Sequence, residues 1–456
     1  MSYDGLNRPT AKTYAGGSAA TPGVTYCYDG AGLNPATQTC GAASATGSVL
    51  GRLTGIGTSA STTNFTGVSN RGFVLSSKQT VGGTDYVFPN YSYTFTGELS
   101  EVTYPSGRQV NYSFDSAGRV SGVTGVLSGV NTNYIPSSPG VQYTPFNAIQ
   151  QMTFGNGLTE SWTYNNRLQP MSVTAGYAGT AFLSLGYNYC SPGVTSCPTD
   201  NGNLQGQTMT RPNGSWSQTY SYDSLNRLTG ASESGTGSWS RGYGYDAYGN
   251  RWVTSSAGLP GLSLETPVAQ SWYNGNNRIN NWSYDAAGNV TQVGSMARSF
   301  SYDAENRQVT ATVAGTGTTY AYDGEGRRVT KAAGGQTTVY VYDALGELAA
   351  EYGQATDNGT VYLTADALGS TRLATKGNAA TGASVAQNYD YLPFGEEIGA
   401  GTAGRDSTFS AGVYPSAANG PSQRFTGKER DGETGLDYFG ARHMSLASGR
   451  FTRPVK

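Results

Sequence analysis

The segment "GKERDGETGLDYFGARHM" (427–444) is the densest collection of reactive side chains in the sequence. Lys428, Glu429, Arg430, Asp431, Glu433, Asp437 and Arg442 fall within fifteen residues, and His443, the single histidine, follows them. Two carboxyl groups that share a proton can work as acid and base on a peptide bond, one activating a water and the other protonating the leaving group. Asp431 could be the first of such a pair. No second carboxyl stands out, and Asp437 is a poor substitute. The bland reading is a charge network in which Arg430, Arg442 and these carboxylates pin the C-terminal segment to the rest of the protein, and this is the favoured expectation. In "PFGEE", Glu396 and Glu397 are adjacent, so on a strand they point to opposite faces and cannot form a pair. Solvated charge is expected there.

Other chemistry is scarce. Cys27 and Cys40 flank "YDGAGLNPATQT", and Cys190 and Cys197 flank "SPGVTS". Neither spacing is the C-x-x-C of common zinc sites. Two local disulfides are expected, which implies an oxidising compartment. Free buried thiols are the alternative, and a metal site shared by all four cysteines is a third. "TDNGNLQ" (199–205) and "TDNGT" (356–360) lack the 12-residue calcium loop with its terminal Glu, and read as turns. No glycine-rich stretch is G-x-x-x-x-G-K-[ST], "FTGKER" included, so no cofactor is expected. The formal net charge of −2 gives no electrostatic reason to bind nucleic acid or acidic lipid. No apolar run approaches the roughly 18 residues of a membrane span. "MSYDGLNRPT" has neither the basic nor the apolar region of a signal peptide, so the expectation is a fragment of a longer gene, or an export signal elsewhere.

The elements that must position these residues are legible in composition and period. The 456 residues include 65 Gly and 33 Tyr, only 13% are charged, and helical periodicity is hard to find. An all-β chain with many tight turns follows. "SYDAENRQVT" (301–310) returns as "AYDGEGRRVT" and "VYDALGELAA", with Tyr302, Tyr322, Tyr342 and Tyr362 each 20 residues apart. Looser copies include "SYDSLNRLTG", with Tyr222 and Asp223, "GYDAYGNR", "WYNGNNRI", "SFDSAGRV", "TYNNRLQP" and the opening "SYDGLNR". In "TTYAYDGEGRRVTKA", Tyr320 and Tyr322 alternate with Ala321 as in a strand. Asp323 opens a turn by accepting backbone hydrogen bonds, and Gly326 closes it at positive φ, a type I turn with a bulge. Arg327 to Lys331 form the return strand, and "AAGGQ" makes the next reversal. Asp303, Asp343 and Gly346 hold the equivalent places. One unit is therefore one hairpin. Paired in series, the hairpins make a very long antiparallel sheet that must wrap on itself, with tyrosines in rows, packed on their rings and wet at their tips.

This phrase at this spacing resembles the YD repeat of RHS (rearrangement hot spot) proteins, of the C component of insecticidal toxin complexes and of the teneurin YD shell. Further on, "YLTADALGSTRLAT" (362–375), "YDYLPFGEE" (389–397), "RFTGKERDGETGLDYFGARHM" (424–444) and "GRFT" (449–452) resemble the RHS repeat-associated core domain in order and spacing. The resemblance implies an all-β fold in which β-hairpins wind into a hollow spiral shell over residues 1–350, closed by an RHS core over 351–456. It implies a role in enclosing a C-terminal toxin polypeptide. An Arg–Asp pair matching Arg430 and Asp431 is implicated in the family's aspartyl-type self-cleavage. Ala367 stands where the family often has His, and His443 where it often has Tyr, so His443 is expected to be a packed ring. After "GRF" the family continues into a Pro- and Asp-containing segment before its cleavage site. Here the sequence reads "GRFTRPVK", and a truncated or orphan shell is expected.

The resulting expectation is a secreted or cell-surface, non-catalytic shell that encapsulates and helps deliver a toxin in competition between bacteria. Its partners are the toxin and its delivery machinery. One alternative is an extracellular adhesion protein that stacks glycans on exposed Trp216, Trp239, Trp252, Trp272 and Trp282. The other is a self-cleaving aspartyl protease built on Asp431.

Overall fold

The computed structural model describes residues 1–15, 19–190, 200–294, 298–353, 359–405, 414 and 420–454. The fold is all-β. Among the described residues the only helical segments are two 3₁₀ turns of three residues, Gln270–Trp272 and Phe425–Gly427.

The repeat is a hairpin, as its residues predict. Strand Thr316–Tyr322 pairs antiparallel with Arg328–Ala333, which pairs with Gln336–Tyr342. The Asp323 carboxylate accepts the backbone N–H groups of Glu325 at 3.0 Å and Arg327 at 2.8 Å. Gly326 sits at φ 85°, the left-handed position that the turn requires, and Asn306 holds the same place at φ 60°. The register shifts by one residue after the turn, as a bulge demands.

What the repeat couples is less obvious than what it forms. Asp323 also accepts Arg327 Nε at 2.8 Å, and the Arg327 guanidinium lies 4.7 Å from the centre of the Tyr342 ring, one repeat later. The Tyr342 hydroxyl donates back to the Arg328 carbonyl at 2.8 Å. The same circuit joins Asp303, Arg307 and Tyr322, whose hydroxyl donates to the Gln308 carbonyl at 2.7 Å. It recurs at Asp223, Arg227 and Tyr245. Contrary to the sequence expectation, the tips of Tyr245, Tyr322 and Tyr342 are not wet: each is spent on the backbone of the preceding hairpin, which ties neighbours together through side chains as well as through the ladder, while the Tyr302 hydroxyl donates to the Thr452 carbonyl at 3.3 Å.

Apart from the short strands between residues 31 and 47, strands pair with their neighbours in sequence, but not as one uninterrupted sheet. Sheets of eight, five, ten and eight strands succeed one another. Pro89 sits in the first break, and Pro136 and Pro139 in the second, where a residue without an N–H ends a ladder. The chain then winds back on itself. Gln79 donates to the Tyr340 carbonyl at 3.3 Å and accepts the Tyr342 N–H at 2.9 Å, and Val341 packs with Phe88, Tyr91, Val102 and Val110. The C-terminal strands lie against the repeat sheets. Tyr362 and Leu373 join the core of the ten-stranded sheet around Leu183, Leu185 and Trp216. Leu436 and Tyr438 join Tyr302, Tyr320 and Tyr322.

Candidate functional site

Asp431 lies on the short strand Glu429–Asp431 and is fully buried against the strand Arg328–Ala333. Its carboxylate accepts Arg328 Nη1 at 2.8 Å and Lys331 Nζ at 3.1 Å. His443 Nε2 is 3.3 Å away, though without the alignment of a hydrogen bond. Arg328 also meets Glu429 at 2.6 Å and is enclosed by the rings of Tyr320, Tyr340 and Tyr438. Burial alone would raise the Asp431 pKa, but the Arg328 and Lys331 charges override it and hold the carboxyl well below its ordinary range. Glu433, 3.7 Å from Lys331, moves the other way, raised by burial and by the charge of Asp431. Burial pushes His443 down, against the pull of Asp431, so the ring is neutral near pH 7. It packs between Tyr320 and Tyr438, with centroids at 5.5 and 5.0 Å, as expected of a ring replacing a tyrosine.

Arg430 faces the other way. Its guanidinium binds Asp437 and reaches Glu397 at 3.2 Å, and Glu397 also takes Arg424 at 2.8 Å. Arg430 and Asp431 are neighbours in sequence that serve two separate networks, and Asp437 belongs with Arg430. Glu396 and Glu397 do point apart, but they are not solvated charges. Glu396 pairs with Arg241 at 2.6 Å, so both carboxylates anchor the "PFGEE" turn, one to a repeat strand and one to the C-terminal segment.

A second hub was not foreseen. Asp390, of "YDYLPFGEE", is surrounded by Arg211 at 3.2 Å, Arg372 at 2.8 Å and Arg405 at 3.0 Å, and accepts the Tyr414 hydroxyl at 2.8 Å. Arg405 continues to Glu233 on the strand Leu228–Gly235. Burial would raise Asp390, and the three guanidiniums instead hold it well below the usual carboxylate range. Arg211 was buried in a strand-like stretch, and nothing local marked it. Arg328 carried a faint signal, since the residue after the turn arginine is Pro9, Val120, Leu228 or Gln308 in other repeats.

Chemically, these two hubs are charge seams between repeat sheets and C-terminal strands. Among the described residues the Asp431 carboxylate meets cations and a histidine, and no carboxylate is within hydrogen-bonding reach. The remaining predicted residues are placed as follows. Cys27 and Cys40 form a disulfide with a Cα–Cα distance of 5.6 Å. Cys190 is also disulfide-bonded, while Cys197 lies outside the described residues. Asp200 accepts the Gly202 N–H at 2.7 Å, as a turn residue does, and residues 199 and 356–358 lie outside the described set. The tryptophans do not form an exposed row: Trp216 and Trp239 are buried, the first donating to the Ala403 carbonyl and stacked by Arg405.

The RHS Repeat family matches residues 284–318. No curated protein sequence matches the chain. Among solved structures, the TcdB2–TccC3–Cdc42 crystal structure superposes with a TM-score of 0.68 over 89% of this chain and 23% of that one, at 17% identity. The TcdB2–TccC3 crystal structure gives 0.67 over 94% of this chain and 26% of that one, also at 17% identity. A Tc holotoxin pore from Photorhabdus luminescens gives 0.58 over 95% and 25%, at 15% identity. The chain thus spans about a quarter of the length of the chains it superposes on. It carries a segment, 284–318, that matches the RHS Repeat family, set among Tyr–Asp hairpins through most of its length, and it shares its fold with the TcdB2–TccC3 structures.

Proposed function

We propose that the chain is the shell-forming part of an RHS-type polymorphic toxin: a secreted or cell-surface wall, residues 1–350, closed by an RHS core, residues 351–456, that encloses and helps deliver a C-terminal toxin in competition between bacteria. The observation that carries this reading is the superposition on TcdB2–TccC3 structures over about nine-tenths of the chain. The two buried charge seams support it, because they fasten the C-terminal strands to the wall. Sequencing the flanks of the gene tests the proposal. An in-frame delivery region upstream and a toxin downstream, directly or past a frameshift, support it, and flanks with neither overturn it. Small-angle scattering tests enclosure separately. A solid globule of this length has a radius of gyration of about 22 Å, and a value near that argues against a hollow wall.

A second reading, self-cleavage at Asp431 with Arg430 beside it, draws on one observation. Lys331 reaches the carboxyls of both Asp431, at 3.1 Å, and Glu433, at 3.7 Å, and the two are driven apart in acidity, as a base and an acid would be. Mass spectrometry of the purified chain held at pH 5 to 7 tests it. Fragments lost in Asp431→Asn and in Glu433→Gln support it, and an intact chain overturns it.

A further inference from the structure

The circuit described above gives Arg227, Arg307 and Arg327 a carboxylate from their own turns. At 274–278 the turn reads Asn274 to Arg278, and the amide supplies the backbone bonds without the charge. Arg278 keeps its stacking on Tyr284, at 4.9 Å, but has lost its counter-charge. Arg278 opens onto a cleft of about 440 Å³ that is also lined by Arg442, Arg450 and Arg453, with Trp282 and Phe451 among its apolar surfaces. Arg442 stacks on Phe451 at 3.7 Å. Arg450 is held by the Asn277 carbonyl at 2.6 Å, and Arg453 by the Glu305 carbonyl at 3.2 Å, with its Nε buried and unpartnered. All four side chains are half-buried, and among the described residues none forms an ion pair. Burial and the neighbouring Arg442 charge both lower the Arg453 pKa. The carboxylates of the two flanking turns bind amides rather than these arginines, Asp246 accepting Asn250 Nδ2 at 2.6 Å and Asp285 accepting Asn289 Nδ2 at 2.8 Å, and Asp246 acts on Arg450 only through its charge.

Four guanidiniums without a direct ion pair, with Asp246 acting on Arg450 and Asp303 on Arg453 only from farther off, concentrate positive charge in a chain of net charge −2. Guanidiniums held by backbone carbonyls and ring faces are pre-organised for planar, two-oxygen acceptors. The negative chain as a whole disfavours a long polyanion such as nucleic acid, whereas a short segment meets only the cleft. The aromatic surfaces favour an occupant with an apolar side chain among its charges. We propose that this cleft is a docking site for an acidic polypeptide segment, one that carries two or more carboxylates around an aromatic or aliphatic residue. The inference does not rest on toxin enclosure.

The test uses the full chain and a fluorescein-labelled peptide, Gly-Asp-Glu-Phe-Asp-Glu-Gly, read by fluorescence anisotropy at 50 and 300 mM NaCl. Saturable, salt-weakened binding is expected, with a loss of about tenfold in Arg278→Gln. Asn274→Asp is the decisive variant. It restores the carboxylate beneath Arg278, so it should weaken binding several-fold while raising the unfolding midpoint, which no folding defect can imitate. Absence of saturable binding overturns the proposal, as does unchanged affinity in both variants. Equal or tighter binding of a single-stranded oligonucleotide of matched charge, or displacement of the peptide by millimolar inorganic phosphate, also overturns it in favour of a phosphate site.

Discussion

Arg328 and Asp431 are 103 residues apart in the chain and 2.8 Å apart in the fold, and neither side chain is exposed to water. Removing one member of such a pair leaves the other charge buried and uncompensated, at a cost of about 3–5 kcal/mol. Asp431→Ala is expected to lower stability by that amount in urea unfolding and to expose the C-terminal strands to trypsin. A change under about 1 kcal/mol would place the seam at a solvated surface, contrary to the structure.

The same seam sets a dependence on pH. His443 is pushed down by burial, so the unfolded chain takes up its proton first. Its contribution is fully present above the unfolded value near 6.5 and is lost as pH falls below it. Asp431 is also held below its unfolded value, so its contribution is lost only as pH falls below about 4. The unfolding midpoint of the wild type should therefore fall relative to that of His443→Phe as pH is lowered from 7 to 5. Parallel curves would show that the ring is not buried neutral.

Glu160 behaves in the opposite sense. It is buried, its Oε1 accepts Trp162 Nε1 at 2.7 Å, its Oε2 has no partner, and burial raises its pKa. A raised group contributes fully below its unfolded value, near 4.3, and loses that contribution as pH rises through the folded value. Glu160→Gln removes this loss, so it should match the wild type at pH 4 and exceed it at pH 8. Thermal unfolding at the two pH values checks this, and a variant less stable at pH 8 would contradict it.

Within the repeat, Tyr322→Phe deletes only the bond to the Gln308 carbonyl, and about 1 kcal/mol of destabilisation is expected. Asp323→Ala deletes the two backbone bonds and the Arg327 bond together, and should cost more. Urea unfolding of the two variants side by side gives the order, and the reverse order would mean that the turn does not need its carboxylate.

The Cys27–Cys40 bridge closes a separation of 13 residues. Cys27→Ser with Cys40→Ser is expected to lose about 3 kcal/mol, read as a lower unfolding midpoint that added reductant does not lower further at this site.

The hairpin, its bulge and its turn chemistry were legible in "AYDGEGRRVT" because every bond that fixes the turn spans at most four residues. The purpose of the tyrosine was half legible. Alternation placed its ring on the packed face, but the target of its hydroxyl is on the preceding strand, and that depends on register. The seams were legible only as a concentration of charge around Asp431. Period-2 reasoning correctly sent Glu396 and Glu397 to opposite sides, yet it could not know that Arg241 and Arg424 wait there, because those meetings depend on how the sheets wind. Asp390 was quoted within its motif and given no role for the same reason: its partners Arg211, Arg372 and Arg405 come from three separate stretches.

The distance in sequence between Arg328 and Asp431 is also an interval in time. A ribosome adds about 5–20 residues per second, so Arg328 precedes Asp431 by roughly 5–20 s. Hairpins such as those of Tyr245, Tyr322 and Tyr342 can be stitched to the one before as they emerge, since the tyrosine looks backwards for its acceptor. The cations of the seam must wait in water until the last strands arrive. Completion of the chain is thus written into the electrostatics: a wall still being translated carries Arg328 and Lys331 as free charges, and a finished one has extinguished them.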